Sequence, residues 1–383
     1  MPVGPFGIDP FVWAVLRLVI ALLLILGLIM NGALALIYLE RKLQAIAQDR
    51  IGPYHVGPFG LLQTFADAIK LIAKEDVRSS NIDPLFFLAA PAIVFTPMFA
   101  AFIVVPFAPG WQGADLNIGL LYLATLGSMG VLGIVIAGWA SNNKYSLIGG
   151  LRSAGQLVSY EVPQILSLVT VTLVTGTLSM AGITEKQAGW QLNAFFLPAA
   201  FLSYFIAALA ETNRTPFDLP EAESELVAGY LTEYSGMRWG TLLALTEYGN
   251  VTIVCSIMAT LWFGGWSGPW VDAVPVLGIL WFTLKTYFFI LVFMWIRATL
   301  PRLRIDQLMN LCWKVLVPMA LTNLFGTAIV LVAVTDPSWR LIVVGALNWA
   351  LLAAFVLLLP ALQQRRLRGL RERLARERAA LAG

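Results

Sequence analysis

Apolar residues occur along this chain in nine long runs that are separated by shorter polar segments. The runs are apolar all round rather than on one face, which is typical of helices buried in lipid. A helix needs about 20 mostly apolar residues to cross a bilayer, and the runs are of that order. The pattern therefore predicts an all-α polytopic membrane protein with about nine transmembrane helices. The predicted spans are 11–38, 84–107, 117–140, 155–178, 191–210, 240–265, 275–297, 311–335 and 340–360.

Basic residues lie almost entirely on one side of these predicted spans. The odd-numbered loops, the span ends beside them and the C-terminal tail hold all but four of the 25 Lys and Arg residues. The other four are Arg17, Lys186, Lys285 and Arg340. Because basic loops stay on the cytoplasmic side, we predict that the N-terminus lies outside and the C-terminus in the cytoplasm. An odd number of spans also places the two termini on opposite sides of the membrane.

The composition agrees with a place in the cell membrane and limits the chemistry. Hydrophobic residues make up 59% of the chain and charged residues 12%, against roughly 25% charged residues in soluble domains. Cys255, Cys312 and His55 are its only cysteines and histidine, so we expect no zinc or iron–sulfur centre here. We expect both thiols to be inert, on the lipid side or in the core. The run 11–38 is too long for a signal peptide and is predicted to be a retained span.

The spans are predicted to form one transmembrane domain over residues 1–362, followed by a tail over 363–383. The tail is rich in arginine and places Leu367, Leu370 and Leu374 on one helical side. We expect it to lie on anionic lipid headgroups, with docking to an acidic partner subunit as the alternative. The predicted cytoplasmic loops are 39–83, 141–154, 211–239 and 298–310.

The first of these loops contains a predicted amphipathic helix over about 61–75. Its polar residues Gln63, Asp67, Lys70 and Lys74 form one stripe, and apolar residues fill the opposite face. This pattern predicts a helix at the membrane surface. Asp67 paired with Lys70 or Lys74 on a plain interfacial helix is the simplest interpretation. Three glycines and two prolines in 50–60 predict a turn-rich segment before it.

The loop 211–239 carries a dense set of carboxylates. Crowded like charges favour protonation of some members, and such a group can release its proton when a neighbouring charge changes. Interleaved Pro216, Phe217, Leu219 and Pro220 favour a packed loop, whereas a solvated acidic surface is the alternative. The candidate proton-holding residues are Glu211, Asp218, Glu221, Glu223, Glu225 and Glu233.

Three charged residues lie inside predicted spans: Glu161, Glu247 and Lys285. Each would be costly if it faced lipid, and their depths predict that the three side chains meet near the middle of the membrane. Pro163 follows Glu161 and frees a backbone carbonyl, which favours a proton or ion path. A buried structural ion pair is the alternative.

Dispersed motifs over most of the chain resemble the H subunit of NADH-quinone oxidoreductase (complex I), the counterpart of mitochondrial subunit 1. Tyr54 departs from the family, which usually has Asn there, and the arginine tail lies outside the family core. The motifs are Glu40-Arg41, Arg50–Gly60 with Gln63, Ala66-Asp67, Lys70-Leu71, Gly138–Ser141, Lys144–Ser146, Leu151-Arg152, Ala210–Tyr234, Trp295–Thr299 and Arg302–Gln307.

The resemblance implies a subunit with no redox centre of its own that contributes to quinone reduction by NADH. Quinone would be its substrate, and hydrophilic partner subunits would hold the iron–sulfur clusters and the flavin. Other membrane-arm subunits and the lipid bilayer would be further partners, with no nucleic acid. For Arg297, Arg302 and Arg304, ordinary positive-inside anchoring is the alternative role. The implied quinone-chamber residues are Glu40, Arg41, Asp67, Ala68, Lys70, Arg297 and Arg302.

The resemblance also assigns the acidic loop, with Glu161, Glu211 and Glu247, to a path of carboxylates that leads from the chamber to the membrane arm. Two other functions remain open from the sequence. The first is the homologous subunit of a membrane-bound hydrogenase or a ferredoxin-linked complex. The second is a free-standing ion transporter, although we find no internal repeat of the kind that transporters show.

Overall fold

The computed structural model describes residues 10–187, 189, 191–219, 226–271, 273–336 and 339–357. Within these residues the chain is helical, and an isolated bridge between Ala108 and Trp111 is the strand-type pairing found. The helices are α1 Pro10–Ala47, α2 Gln63–Ala73, α3 Pro84–Ala101, α4 Gly119–Ala140, α5 Lys144–Thr175, α6 Met180–Lys186, α7 Asn193–Phe196, α8 Pro198–Glu211, α9 Gly236–Gly240, α10 Thr246–Phe263, α11 Leu277–Thr299, α12 Ile305–Leu311, α13 Val317–Ala333 and α14 Trp339–Leu357.

Two pairs of helices are continuous through short π-helical segments. Thr241–Leu245 joins α9 to α10, and Cys312–Leu316 joins α12 to α13. Single 3-10 turns occur at Pro58–Gly60 and Gly229–Leu231. A π turn displaces backbone hydrogen bonds from their usual partners, so both junctions need further donors or acceptors.

Six helical stretches of the described residues are long and apolar enough to cross a membrane, which confirms the polytopic helical fold. They are Pro84–Ala101, Gly119–Ala140, Lys144–Thr175, Leu277–Thr299, Ile305–Ala333 and Trp339–Leu357, and Pro198–Glu211 is a shorter apolar helix. The count of nine spans and their orientation stay predictions. The tail 363–383 lies outside the described residues.

α5 begins eleven residues before the predicted span 155–178, so most of the predicted loop 141–154 is helical. Asn143 caps the helix, because its side-chain oxygen accepts the backbone N–H of Tyr145 at 2.9 Å. The small polar residues Ser146 and Ser153 are fully buried. The sequence pattern failed here because it assigned polar residues to a loop, whereas these side chains pack inside the protein.

Close helix packing depends on small residues where α4 and α5 meet. A Cβ atom at Gly138 would lie 2.7 Å from the Ser146 carbonyl oxygen, which is too close for any other residue. The core continues around α10, where Trp262 is fully buried and its ring centroid lies 4.9 Å from that of Tyr204. These contacts fix α4, α5, α8 and α10 against one another.

The predicted amphipathic helix after the first span is confirmed as α2. Its apolar residues Phe65, Ile69 and Ile72 are exposed, which leaves one apolar face uncovered. Before α2, the chain turns sharply at Gly57 and Gly60, which both have positive φ. A Cβ atom at Gly60 would lie 2.3 Å from the Pro53 carbonyl oxygen, so the turn requires glycine there.

Candidate functional site

The carboxylate of Glu40 lies at the centre of a buried charge cluster. Its Oε2 accepts a hydrogen bond from Nη1 of Arg214 at 2.7 Å, and its Oε1 accepts from Arg297 and from Gln44. Glu40 is 4% exposed and Arg214 is 3% exposed. A buried carboxylate is stable only when such partners compensate its charge. We call Glu40, Gln44, Arg214, Tyr248 and Arg297 the Glu40 cluster.

The Glu40 cluster joins four parts of the chain: α1, the segment after α8, the start of α10 and the end of α11. The guanidinium of Arg214 also lies 4.2 Å from the ring centroid of Tyr248, on α10. Burial alone would lower the pKa of Arg214, but the charge of Glu40, the Tyr248 hydroxyl group and the charge of Glu247 raise it above its ordinary value. Arg214 therefore stays charged.

Sequence reasoning did not select Arg214 or Tyr248 as site residues. Arg214 was visible only as one of two basic residues in an acidic loop. Its partner Glu40 lies 174 residues earlier in the chain, a separation that no local pattern reports.

A second arginine–carboxylate pair lies at the surface beside this cluster. Arg41 binds Asp67 on α2, and Gln63 donates to the same carboxylate at 3.2 Å. The expected pairing of Asp67 with Lys70 or Lys74 is therefore wrong, because the neighbouring α1 supplies a better-placed cation. Ala68 is half-buried and Lys70 is exposed on the same helix.

The segment after α8 is tied to the segment after α11. Arg302 donates to Asp218 at 2.6 Å, and the backbone N–H of Leu303 donates to the Pro216 carbonyl at 3.0 Å. Elsewhere in the acidic loop, Glu233 accepts from Nδ2 of Asn143 at 2.8 Å. The described part of this loop is packed rather than a solvated surface. Glu221, Glu223 and Glu225 lie outside the described residues.

Glu161 and Glu211 share the wall of one cavity of about 100 Å³. Glu161 contacts the hydroxyl of Ser128 on α4, and Glu211 accepts from Nε2 of Gln164 at 2.6 Å. A space of this volume has room for about three water molecules. Other polar residues in the wall are Asn213 and Asn250. We call this space the Glu161 cavity.

The structure separates Lys285 from Glu247, two of the three charges that were expected to meet in the membrane. Glu247 lies at the start of α10, where its charge acts on Arg214. Lys285 lies near the other end of α10, because its Nζ donates to the carbonyls of Phe263, Gly265 and Ser267 at 2.6–3.0 Å. Phe263 follows Glu247 by 16 residues, about 24 Å along a helix. The expectation that Lys285 would meet Glu247 is therefore wrong.

The sequence misplaced Glu161 along its helix and did not reveal the partners of Lys285. α5 begins at Lys144 rather than near 154, so Glu161 lies further along its helix than expected. Lys285 turns toward the backbone carbonyls at the end of α10, which satisfy a cation without any carboxylate.

Comparison with known proteins identifies the family to which the chain belongs. Residues 19–328 match the family model described as NADH dehydrogenase. Three similar proteins each carry the name of the H subunit of NADH-quinone oxidoreductase. The one from Chlorobium luteolum is 47% identical, with 79% of this chain and 89% of the relative covered. The one from Brevibacillus brevis is 49% identical, with 82% and 92% covered.

The third, from Dehalococcoides mccartyi, is 45% identical, with 90% of this chain and 94% of the relative covered. These relatives are subunits of a redox complex, which agrees with the predicted NADH-quinone oxidoreductase subunit rather than with a free-standing transporter. Matches of this length and identity, together with the apolar helices of the fold, show that the chain belongs to the H-subunit family of NADH-quinone oxidoreductase and is a multi-pass cell-membrane subunit of that enzyme.

Proposed function

We propose that this subunit forms the membrane part of a quinone-binding chamber and couples quinone reduction to proton translocation. Quinone is the substrate, and hydrophilic partner subunits supply the terminal iron–sulfur cluster and the flavin. The observation that carries the proposal is the Glu40 cluster, which links the predicted chamber residues to the acidic loop. The proposed chamber residues are Glu40, Arg41, Asp67, Ala68, Lys70, Arg297 and Arg302.

The chamber needs groups that respond to a change of charge on the quinone. Arg41 and Asp67 pair between α1 and α2 and remain partly accessible, and Lys70 is exposed on α2. Arg297 reaches from this edge to the buried Glu40. At an effective dielectric constant of about 20, a unit charge 4 Å away is worth ~4 kcal/mol, which corresponds to a change of ~3 units in a pKa. Quinone reduction can therefore alter the protonation of nearby carboxylates.

The proposed proton path continues from the Glu40 cluster to the Glu161 cavity. Arg214 lies in the segment that directly follows Glu211, so one short stretch of chain joins the two sites. Asp218, Glu233 and Glu247 extend this set, and Glu221, Glu223 and Glu225 belong to it by prediction. Water molecules in the Glu161 cavity would carry protons between Glu161 and Glu211. Lys285 lies apart from this path.

A variant on α2 tests the chamber. Ala68→Phe places a bulky ring at the proposed quinone entry, so quinone reduction by the assembled complex falls while NADH oxidation by an artificial acceptor stays normal. Ala73→Phe is the matched control, because Ala73 lies on the same helix but points in another direction. Normal quinone reduction in Ala68→Phe contradicts the chamber, whereas equal loss of both activities points to misassembly instead.

A variant in the cavity tests proton coupling. Glu161→Gln keeps the shape of the side chain and removes the titrating group. Quinone reductase activity and proton pumping should fall together in reconstituted vesicles, while the amount of assembled complex stays normal. Normal pumping by a fully assembled Glu161→Gln complex contradicts the proton path.

A further inference from the structure

One backbone carbonyl of α5 lacks its usual helical partner. Pro163 has no N–H group, so it cannot donate to the carbonyl of Ser159 four residues earlier. Sγ of Cys312 lies 3.0 Å from that carbonyl oxygen, and its thiol donates to it. The thiol therefore replaces the hydrogen bond that Pro163 removes.

Cys312 is also the first residue of the π segment that joins α12 to α13. The next residue, Trp313, donates from its indole Nε1 to the Ser159 hydroxyl at 3.3 Å. In the opposite direction, the Tyr160 hydroxyl donates to the Leu308 carbonyl, on α12, at 2.9 Å. Three hydrogen bonds thus connect one turn of α5 to the π junction and to α12 before it.

These bonds lie directly beside Glu161. Ser159 and Tyr160 precede Glu161 in α5, and the Glu161 carboxylate contacts Ser128 on the other side of the helix. Tyr160 and Cys312 are fully buried, so water does not compete for their hydrogen bonds. Any shift or rotation of this turn of α5 would move the Glu161 carboxylate relative to the cavity.

We propose that this contact, which we call the α5 lock, positions Glu161 at the cavity wall. The α5 lock consists of Ser159, Tyr160, Cys312 and Trp313. These residues do not exchange protons with the cavity themselves. They hold the turn of α5 that presents the Glu161 carboxylate to Ser128. The inference rests on the proposed proton role of Glu161 and adds residues that the family resemblance did not select.

A double-mutant cycle tests the lock between Cys312 and Pro163. The four complexes are the parent, Cys312→Ala, Pro163→Ala and the double variant, and the readout is the rate of proton pumping together with the coupled rate of quinone reduction. Cys312→Ala leaves the Ser159 carbonyl buried without a donor, and we expect about a fivefold loss, equivalent to ~1 kcal/mol at 1.36 kcal/mol per tenfold. In the Pro163→Ala background, the restored N–H of residue 163 serves that carbonyl, so the same change has no further effect.

The cycle has an outcome that overturns the proposal. If Cys312→Ala causes the same loss in both backgrounds, the thiol contributes packing alone. Cys255→Ala is the matched control, because Cys255 is an equally buried thiol on α10 and none of its hydrogen bonds among the described residues reaches α5. We expect this control to pump like the parent.

A conservative variant separates positioning from packing. Cys312→Ser keeps a donor for the Ser159 carbonyl, so it should pump like the parent where Cys312→Ala does not. Equal losses in the two variants contradict the lock. If Cys312→Ala yields too little assembled complex, Trp313→Phe removes the indole donor at a half-exposed position. It should lower the rate of proton pumping, and an unchanged rate contradicts the lock.

An infrared measurement distinguishes failure of the lock from failure of the proposed function. The S–H stretching band, isolated as the difference between the parent and Cys312→Ser complexes, reports whether the thiol donates a hydrogen bond. We expect this band to shift in Pro163→Ala, where the carbonyl gains another donor. A band typical of a free thiol in the parent overturns the lock. Normal pumping in Glu161→Gln with a hydrogen-bonded thiol overturns the proton path and leaves the contact intact.

Discussion

The two ends of the antiparallel helix pair α10 and α11 are both held by basic side chains, but with different acceptors. At one end, Arg297 and Arg214 bind the carboxylate of Glu40 beside the Tyr248 ring. At the other end, Lys285 binds three backbone carbonyls. The first end uses groups that can change charge, whereas the second uses fixed dipoles.

This difference separates a site that can respond to chemistry from one that can only hold structure. A carboxylate between two guanidinium groups gains or loses stabilisation when a nearby charge changes. Carbonyl dipoles at the end of a helix keep their orientation and attract a cation in every state. We therefore expect substitutions at the Glu40 end to change both the assembly and the turnover of the complex. Substitutions at the Lys285 end should change its stability alone.

Removing the central charge of the first end should have the largest effect. Glu40→Gln keeps the size of the side chain but leaves Arg214, which is almost fully buried, without its carboxylate. Breaking a buried ion pair in this way costs about 3–5 kcal/mol, so we expect a large loss of assembled complex. Quantitative native gels of membranes measure this amount.

A surface pair provides the control for Glu40→Gln. Asp76 binds Arg78 and Arg238 at exposed positions, where ion pairs contribute about 0–1 kcal/mol. Asp76→Asn should therefore give parental amounts of complex. Similar amounts of complex in the Glu40→Gln and Asp76→Asn strains would mean that burial of the cluster is not what matters.

The second end should show a smaller and simpler effect. Lys285→Met removes the charged donor from three carbonyls, and hydrogen bonds to charged groups contribute about 1.5–3 kcal/mol. We expect the thermal midpoint of the complex to fall while protons pumped per electron stay unchanged. A Lys285→Met complex that is stable but pumps fewer protons per electron would show that Lys285 takes part in proton transfer.

The contrast between the two ends also shows what the sequence could predict. Long apolar runs predicted the membrane helices, since lipid demands that composition wherever a helix lies in the fold. The stripe of Gln63, Asp67 and Lys70 predicted α2 because its spacing is local. Neither Arg214 with Glu40 nor Lys285 with the end of α10 has a local signature, because each pair forms only after distant helices pack.

The polar composition of one segment also led to a wrong prediction, because its polar side chains are buried. Ser146 and Ser153 indicated a loop, but they are buried in the first turns of α5. Asn143 was not selected, although it caps α5 and also binds Glu233. A cap residue before a helix is a recognised start signal, so this boundary could have been found had the start of the span been sought among polar residues.

Loss of that cap should have a moderate effect. Asn143→Ala removes the acceptor for the Tyr145 N–H and the donor to Glu233, at a cost of about 1 kcal/mol. We expect a small fall in the thermal midpoint of the complex. Asn143→Ser retains the cap alone, so its midpoint should lie between those of the parent and Asn143→Ala. A midpoint of Asn143→Ser equal to that of Asn143→Ala would show that the bond to Glu233 carries the effect.

The smallest effect on stability is expected for Asp67→Asn, in the exposed counterpart of the Glu40 pair. Asp67 binds Arg41 where both side chains remain partly open to solvent, so the pair contributes at most about 1 kcal/mol. Assembly and thermal midpoint should match the parent. Quinone reduction should nevertheless fall, because the variant removes a titratable carboxylate from the proposed chamber. NADH oxidation by an artificial acceptor is the control activity. A normal rate of quinone reduction in Asp67→Asn would place the chamber away from α2 and restrict the chemistry to the buried Glu40 cluster.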